Sequence, residues 1–398
     1  MWLGDRVDWA AVQLVDLFLY GSLLHDPLFH LVAGPGDVAS KVAASLRDHA
    51  VDRIAGTEMP MLLPYDRAMA QGVIWSGLTD PQRARLDIYE LAFGYILRPV
   101  LVSRVDGTRG MALAYFPPGT EVSSGKPWSF DRWLAARGEV TCLAAAELLA
   151  HEPPLTPPEL FRQWPMFRSR AFAVQRGRAA EAPAGLRYRP RQGDHRVANA
   201  APLAGGFFKL ATLDVTHRRF DGAMQGPLRR EVLVGVDAAL VLPYDRARDR
   251  VLLVEQFRVG IARRQDANPW CLEPVAGIVD AGETPEAAGL REAVEEAGLT
   301  AVTLQKMFSI YPSPGSSTDH FYCYLGLTDL PDLGSYSGGL AEEAEDLRLH
   351  VLPFQAAMAL MDTGEINAGP LVAMLLWLGR ERSKITFGPK AADDQAEP

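Results

Sequence analysis

The stretch GIVDAGETPEAAGLREAVEEAGL at 277–299 carries Glu283, Arg291, Glu292, Glu295 and Glu296 at fixed offsets, and no ordinary apolar core can accept so acidic a surface. Thr284 can cap a helix N-terminus and Pro285 suits the first helical position. Glu286 favours the positive end of the helix dipole and Gly298 can stop the helix, so the spacing predicts a helix over 285–297. On that helix positions 292, 295 and 296 are related as i, i+3 and i+4, and their side chains leave one face about 5–6 Å apart. Each like-charged pair costs roughly 3 kcal/mol at an effective dielectric of ~20. A multivalent cation would offset that cost, and hard carboxylate oxygens favour Mg²⁺ or Mn²⁺. A solvated acidic helix is the plainer alternative. Gly289 inside the helix costs ~1 kcal/mol relative to alanine unless close backbone packing requires it.

From Gly277 to Leu299 the spacing reads G-x5-E-x7-R-E-U-x-E-E-x-G-U, with small Ala293 at the first U position. This resembles a complete Nudix box. The resemblance implies hydrolysis of a nucleoside diphosphate linked to another group, assisted by Mg²⁺ or Mn²⁺. It makes Glu292, Glu295 and Glu296 the catalytic metal ligands and the Ala276 carbonyl a further ligand. It makes Gly277, Glu283, Arg291 and Gly298 structural members, with Arg291 paired to Glu283.

Flanking stretches narrow the likeness. VLLVEQFRVG at 251–260, PWCLEPVAG at 269–277, YPSPGSSTDH at 311–320 and GGLAEEAEDLRLHVLP at 338–353 resemble, in order and spacing, the ADP-ribose pyrophosphatase branch. That branch implies ADP-ribose or a related ADP-sugar as substrate, split into AMP and ribose 5-phosphate. Substrate contacts then fall to Arg258, Glu273 and Pro314, the last fifteen residues after Leu299 in the loop that shapes the terminal-ribose pocket. Arg258 has the planar fork of donors that suits phosphate or ribose oxygens, although a surface arginine is the simpler reading. The branch puts its catalytic base in an acidic loop, here LAEEAEDL at 340–347, where Glu343 aligns with the base and Glu345 with a carboxylate that positions metal or water. A solvated charge run is the alternative.

A Nudix domain uses only about half of 398 residues, and 48% hydrophobic content is ample for two cores. Net charge is −9 and no Lys/Arg cluster is interleaved with aromatics, which argues against a nucleic-acid partner. Cys142, Cys271 and Cys323 show neither a paired framework nor metal-ligand spacing, which fits a reducing, cytoplasmic setting. No signal core and no span of about 18 apolar residues is seen, so no membrane partner is expected.

In the first half, DLFLYGSLL at 16–24 is a β-rich run that turns at Gly21 and Ser22, and RLDIYELAFGYILRPVLV at 85–102 is a second strong run. Together they resemble the gamma-glutamylcyclotransferase-like family. There a Tyr-Gly-Ser-Leu turn binds substrate through backbone groups and an acidic residue moves a proton. The matching positions are Tyr20, Gly21, Ser22, Leu23 and Glu90. Glycine lets backbone N–H groups approach a carboxylate, and a partly buried glutamate with a raised pKa can act as base. A tight turn at Gly21 with Glu90 as a turn acid is the structural alternative. Tyr95 and Arg98 fit either a strand lining the same pocket or ordinary sheet packing.

The proline pairs of HEPPLTPPELFRQWP at 151–165 mark a boundary. The expected organisation is a gamma-glutamylcyclotransferase-like domain over 1–151, a linker over 152–195 whose middle is a docking helix or a solvated spacer, a Nudix domain over 196–390 and a disordered tail over 391–398. Apolar alternation from Phe207 to Leu242 reads as antiparallel strands, which commonly build a dimer in the pyrophosphatase branch, so a homodimer through this domain is expected. Two helices close the chain around a Thr-Gly break at 363–364, with Met358, Met361 and Met374 read as packing residues rather than a cofactor box. The fold class is therefore α+β in two domains, a small β-barrel-like domain followed by an α/β/α sandwich with a mixed sheet. This order of domains also resembles TrgB, a family associated with tellurite resistance. Two rival functions stand beside hydrolysis: gamma-glutamyl cyclisation at Glu90, and a non-catalytic nucleotide-sugar sensor.

Overall fold

The computed structural model describes residues 16–35, 40–117, 123–151, 154–181, 183–332, 334–339 and 345–385. The chain divides into two compact units at Arg230/Glu231.

The first unit contains strands β1 (Leu17–Leu19), β2 (Ser40–Ile54), β3 (Pro60–Ser76), β4 (Ile96–Arg104), β5 (Arg109–Phe116) and β6 (Ser123–Pro127). It also contains helices α1 (Asp26–Ala33), α2 (Asp80–Ala92), α3 (Phe130–Leu149) and α4 (Pro157–Ala179). The order β3-β1-β5-β4-β2 closes on itself through β2–β3 pairing, making a five-strand barrel with β6 appended to β2. Closure gives each of those five strands a partner on both sides over at least part of its length and turns alternate side chains inward. The interior is filled by Phe18, Leu46, Leu62, Ile74, Val102, Ala114 and Phe116. Any side chain at Gly72 would collide with the Leu19 carbonyl and the Phe18 ring, so a glycine is what lets β3 cross β1 there.

The apolar run at 85–102 is divided between a helix and a strand. A capping box at Thr79, reciprocated by Gln82, starts α2. The helix reaches past Glu90, and β4 begins only at Ile96.

The stretch read as linker is largely the helix α4. Its N-terminus is another capping box, Thr156 with Glu159. It packs on α3 through Arg170, whose Nε donates to both oxygens of Glu147 at 3.0 Å, with side-chain exposures of only 4% and 11%. Strands β7 (His195–Asn199), β8 (Lys209–Arg218) and β9 (Met224–Val234) form a separate three-stranded sheet. Lys209 on β8 is fully buried, and its ammonium donates to the Gly205 carbonyl at 2.9 Å and lies 5.8 Å from the Phe167 ring of α4. The compact division at residue 230 places β7, β8 and the first part of β9 with the first unit.

The second unit contains β10 (Asp237–Asp245), β11 (Arg250–Phe257), α5 (Val259–Arg264), β12 (Trp270–Glu273), β13 (Val275–Ile278) and α6 (Pro285–Glu295). It continues with β14 (Thr303–Ile310), β15 (His320–Leu327), β16 (Ser335–Gly338), β17 (Leu347–Pro353), α7 (Phe354–Thr363) and α8 (Gly369–Glu381). Its sheet runs β14-β15-β10-β11-β17-β16, with β12 on β11 and β13 on β10. The β10–β15 pair is parallel and its neighbours antiparallel, so the sheet is mixed. Successive residues of β10 face opposite layers. Ala239 and Val241 pack with Ala288 and Ala293 of α6. Leu240 and Leu242 pack with Leu371, Met374 and Leu378 of α8. Met374 is fully buried, and Met358 and Met361 pack against the same core. Gly364, at φ 81°, ends α7 at the Thr-Gly break.

Candidate active site

The acidic helix forms where its caps require. Thr284 Oγ1 accepts from the Ala287 amide at 3.1 Å, starting α6. At the other end Gly298 takes φ 68°, and the amides of Gly298 and Leu299 donate to the Val294 and Ala293 carbonyls, each at 2.9 Å. Gly289 lies against the sheet, where a β-carbon would stand 3.0 Å from Val241 Cγ2, so the helix gains its close approach there.

Glu292, Glu295 and Glu296 do share one region, and the structure shows what offsets their repulsion. Arg291 Nη1 donates to Glu292 Oε1 at 2.6 Å and to Glu295 Oε2 at 2.7 Å. Its Nε and Nη2 hold Glu283, both at 3.2 Å, and Nη2 also reaches the Ile278 carbonyl at 3.0 Å. The Arg291–Glu283 pair is therefore part of a wider fork, and a guanidinium carries much of the neutralisation that the sequence reading assigned to metal alone. Glu296 is different. It is 3% exposed, its Oε2 accepts from the Ala276 amide at 3.1 Å, and burial pushes its carboxyl up to about 8. Burial also raises Glu292, partly opposed by Arg291. The charge of Glu345, two residues before β17, acts on both Glu292 and Glu296, so this carboxylate belongs to the same cluster.

Arg258 N-caps α5 and its Nε donates to Glu273 Oε2 at 2.6 Å. Its positive charge also reaches Glu296. Pro314 is exposed in the turn between β14 and β15 and enters none of these contacts. Glu343 lies outside the described residues, as does the tail 391–398.

Sequence reasoning missed the Gly338-Gly339 pair. The Gly339 amide donates to the Glu296 carbonyl at 3.2 Å, and a side chain on Gly338 would collide with that carbonyl. These glycines tie β16 to the end of α6 just before the acidic loop. The doublet itself was the available signal.

Among the described residues, no three His, Cys, Asp or Glu side chains are arranged to hold a metal ion. The donor chemistry nevertheless fits one. All the clustered side chains offer hard oxygens, and Glu296 is a buried carboxylate that, among the described residues, has no cation in direct contact. Arg291 engages Glu292 and Glu295 from one side only, through a single nitrogen.

A second cluster sits in the first unit. The Tyr20-Gly21-Ser22-Leu23 segment leaves β1 and enters a 3-10 turn, closed by Leu24 N–H donating to Gly21 O at 3.0 Å. A β-carbon on Gly21 would press on Pro60 Cγ at 2.6 Å. Burial followed by the charge of Glu90 raises Tyr89, and the Ser22 hydroxyl partly opposes the shift. Glu90 itself, partly buried on the last turn of α2, is pushed up to about 8 by desolvation. Tyr95 donates to Pro60 O at 2.5 Å beside them, whereas Arg98 projects elsewhere, over the ring of Phe116 at 5.3 Å.

Among the described residues no helix is long and apolar enough to cross a membrane. A family model for the NUDIX domain matches residues 235–374, and one for gamma-glutamyl cyclotransferase, AIG2-like, matches residues 17–135. The chain is 37% identical over 189 residues to the ADP-ribose pyrophosphatase of Haemophilus influenzae, covering 47% of this chain and 87% of that protein. It is 38% identical over 176 residues to the ADP-ribose pyrophosphatase of Escherichia coli, covering 44% and 83%. It is 33% identical over 180 residues to the GDP-mannose pyrophosphatase of Citrobacter koseri, covering 44% and 90%. With a capped acidic helix, an arginine fork and a buried glutamate in one site of a mixed-sheet sandwich, this chain belongs to the Nudix hydrolase family, joined to an AIG2-like N-terminal domain.

Proposed function

We propose that the second unit hydrolyses the pyrophosphate bond of ADP-ribose, or of a related ADP-sugar, to AMP and ribose 5-phosphate. Water adds across one P–O bond of the diphosphate bridge, its oxygen ending on one phosphorus and a proton on the other phosphate. The observation that carries the reading is the carboxylate cluster of Glu292, Glu295, Glu296 and Glu345, supported by relatives named as ADP-ribose pyrophosphatases. Glu292, Glu295 and Glu296, with Glu345 and the Ala276 carbonyl, would hold Mg²⁺ or Mn²⁺. That ion supplies neutralisation of the diphosphate and a lowered water pKa. Arg291 holds Glu292 and Glu295 in position. Arg258, with Nε tied to Glu273, turns the rest of its fork to phosphate or ribose oxygens. Pro314 shapes the terminal-ribose pocket, and Glu343 takes the proton of the attacking water. The subunits pair as a homodimer through the strands of 207–242, which lead into this unit.

The test is phosphate-product analysis of purified protein on a panel of nucleotide sugars with Mg²⁺, comparing wild type with Glu295→Gln, Glu343→Gln and Glu90→Gln. ADP-ribose turnover that collapses in the first two variants and survives the third supports the reading. Turnover indifferent to Glu295→Gln sinks it. A strain carrying Glu296→Gln that keeps wild-type tellurite tolerance would likewise dispose of any link between this hydrolysis and resistance.

The Glu90 cluster favours a second reading, for the first unit alone. Glu90, with its carboxyl pushed up to about 8, sits beside the Gly21 turn and can take the proton released when a gamma-glutamyl amine attacks its own gamma-carbonyl. That cyclisation expels the attached amine and yields 5-oxoproline. It would persist in EDTA, whereas pyrophosphate hydrolysis would not. A sensor role has less support, since a sensor has no use for a complete set of acidic ligands.

A further inference from the structure

The barrel wall is split. Strands β2 and β4 pair only from Ala44↔Arg104 to Leu46↔Val102, although β4 runs on beside β5 as far as Ile96↔Phe116. Beyond Leu46 the register of β2 shifts between Arg47 and His49, with Asp48 at φ 56° and Arg67, on β3, at φ 61°. Asp48 Oδ1 accepts from the Arg67 amide at 3.1 Å and fixes this bend. β2 then follows β3 and β6, so its edge diverges from β4 and leaves a wedge open to the barrel interior.

That wedge is a cleft of about 780 Å³. Its floor is barrel core: Leu46, Leu62, Val100 and Phe116 all line it and all are buried. Its rim carries Arg47, Arg98 and Arg109. Arg98 lies over the Phe116 ring at 5.3 Å, and the His49 ring meets Phe116 edge-on at 5.9 Å. Among the described residues none of the three rim arginines is paired with a carboxylate. The one acidic residue lining the cleft, Asp48, is turned to the Arg67 amide. A chain of net charge −9 thus concentrates three unpaired guanidinium groups around one apolar opening. The lining includes neither Tyr20–Leu23 nor Glu90, so the cleft is separate from the cluster on α2.

We propose that this cleft binds a small organic anion, its apolar body on Phe116 and the barrel core and its phosphate or carboxylate on the arginine rim. The volume is that of a small-molecule site, and the planar fork of arginine suits either oxyanion group. The site lies wholly in the first unit and does not depend on the hydrolytic reading of the second.

The experiment is calorimetric titration of the full-length protein with phenyl phosphate, phenylacetate and inorganic phosphate. At least one aromatic anion binds saturably, one to one, and more tightly than inorganic phosphate; which of the two binds better tells phosphate from carboxylate. Arg98→Ala and Arg47→Ala each weaken that binding at least tenfold, with thermal unfolding unchanged. Arg98→Lys, which keeps the charge but not the fork, restores only part of it. Glu90→Gln leaves the affinity as it was. The proposal is overturned if neither aromatic anion binds, if both arginine-to-alanine variants keep wild-type affinity, or if Glu90→Gln weakens binding as much as Arg98→Ala.

Discussion

Gly277 on β13 lies directly against the Glu292 carboxylate of α6, so closely that a β-carbon at 277 would overlap the glutamate side chain. The glycine leaves room for this carboxylate to lie against the strand, and its backbone angles make no such demand.

Gly277→Ala is expected to displace Glu292 and lower kcat for ADP-ribose by about a hundredfold or more, the usual consequence of a misplacement near 1 Å. Far-ultraviolet circular dichroism of the variant should match wild type. Wild-type turnover in Gly277→Ala would show that Glu292 need not occupy this position.

Arg291 is the shared cation of Glu283, Glu292 and Glu295. Arg291→Ala leaves three carboxylates facing one another and should destabilise the second unit by about 2–3 kcal/mol in denaturant unfolding. Adding a divalent cation should narrow the deficit, because a ligand that binds only the folded state stabilises it. A deficit that Mg²⁺ does not touch would count against a shared role for arginine and metal.

Burial raises Glu90 from the usual carboxyl range to about 8. The sign follows from proton counts. Between pH 4.5 and 8 the folded chain holds this proton and the unfolded chain does not, so the contribution of Glu90 is most favourable below 4.5 and is lost as pH rises towards 8. Glu90→Gln, neutral throughout, should remove that slope, with a difference on the order of a few kcal/mol by pH 8.5. Unfolding of the first unit measured at several values from pH 4.5 to 8.5 decides it; parallel curves for the two proteins would mean that Glu90 is solvated.

The Arg170–Glu147 pair between α4 and α3 is nearly sealed from solvent. Arg170→Ala strands a buried carboxylate and should cost the first unit about 3 kcal/mol, whereas Arg170→Met with Glu147→Leu should recover most of it. If both variants unfold alike, the pair is more open to water than its burial indicates.

Local chemistry was enough to place α6, whose observed span Pro285–Glu295 ends two residues before the expected 297. Thr284, Pro285 and Gly298 act through backbone groups within a turn of themselves, and the spacing of Glu292, Glu295 and Glu296 follows from helix geometry alone. The alternation in β10 and the Thr-Gly break before α8 were legible for the same reason. The capping box of α2 was also written in Thr79 and Gln82, but the apolar run that follows hides the change from helix to strand at 93–95, because short apolar runs suit both.

Tertiary structure decided the rest. The Arg291–Glu283 pair and the i,i+4 spacing of Arg291 and Glu295 were legible along the chain, but the structure alone tied Gly339 to Glu296 and set Gly277 against Glu292, between residues whose separation in sequence carries no signal. It packed α4 on α3 and carried the compact division past the proline pairs to residue 230. It also opened the wedge between β2 and β4, where Arg47, Arg98 and Arg109 meet. Capping and periodicity act within a few residues and can be read along the chain. Charge neutralisation, close backbone approach and sheet divergence depend on distances that exist only once remote segments have packed.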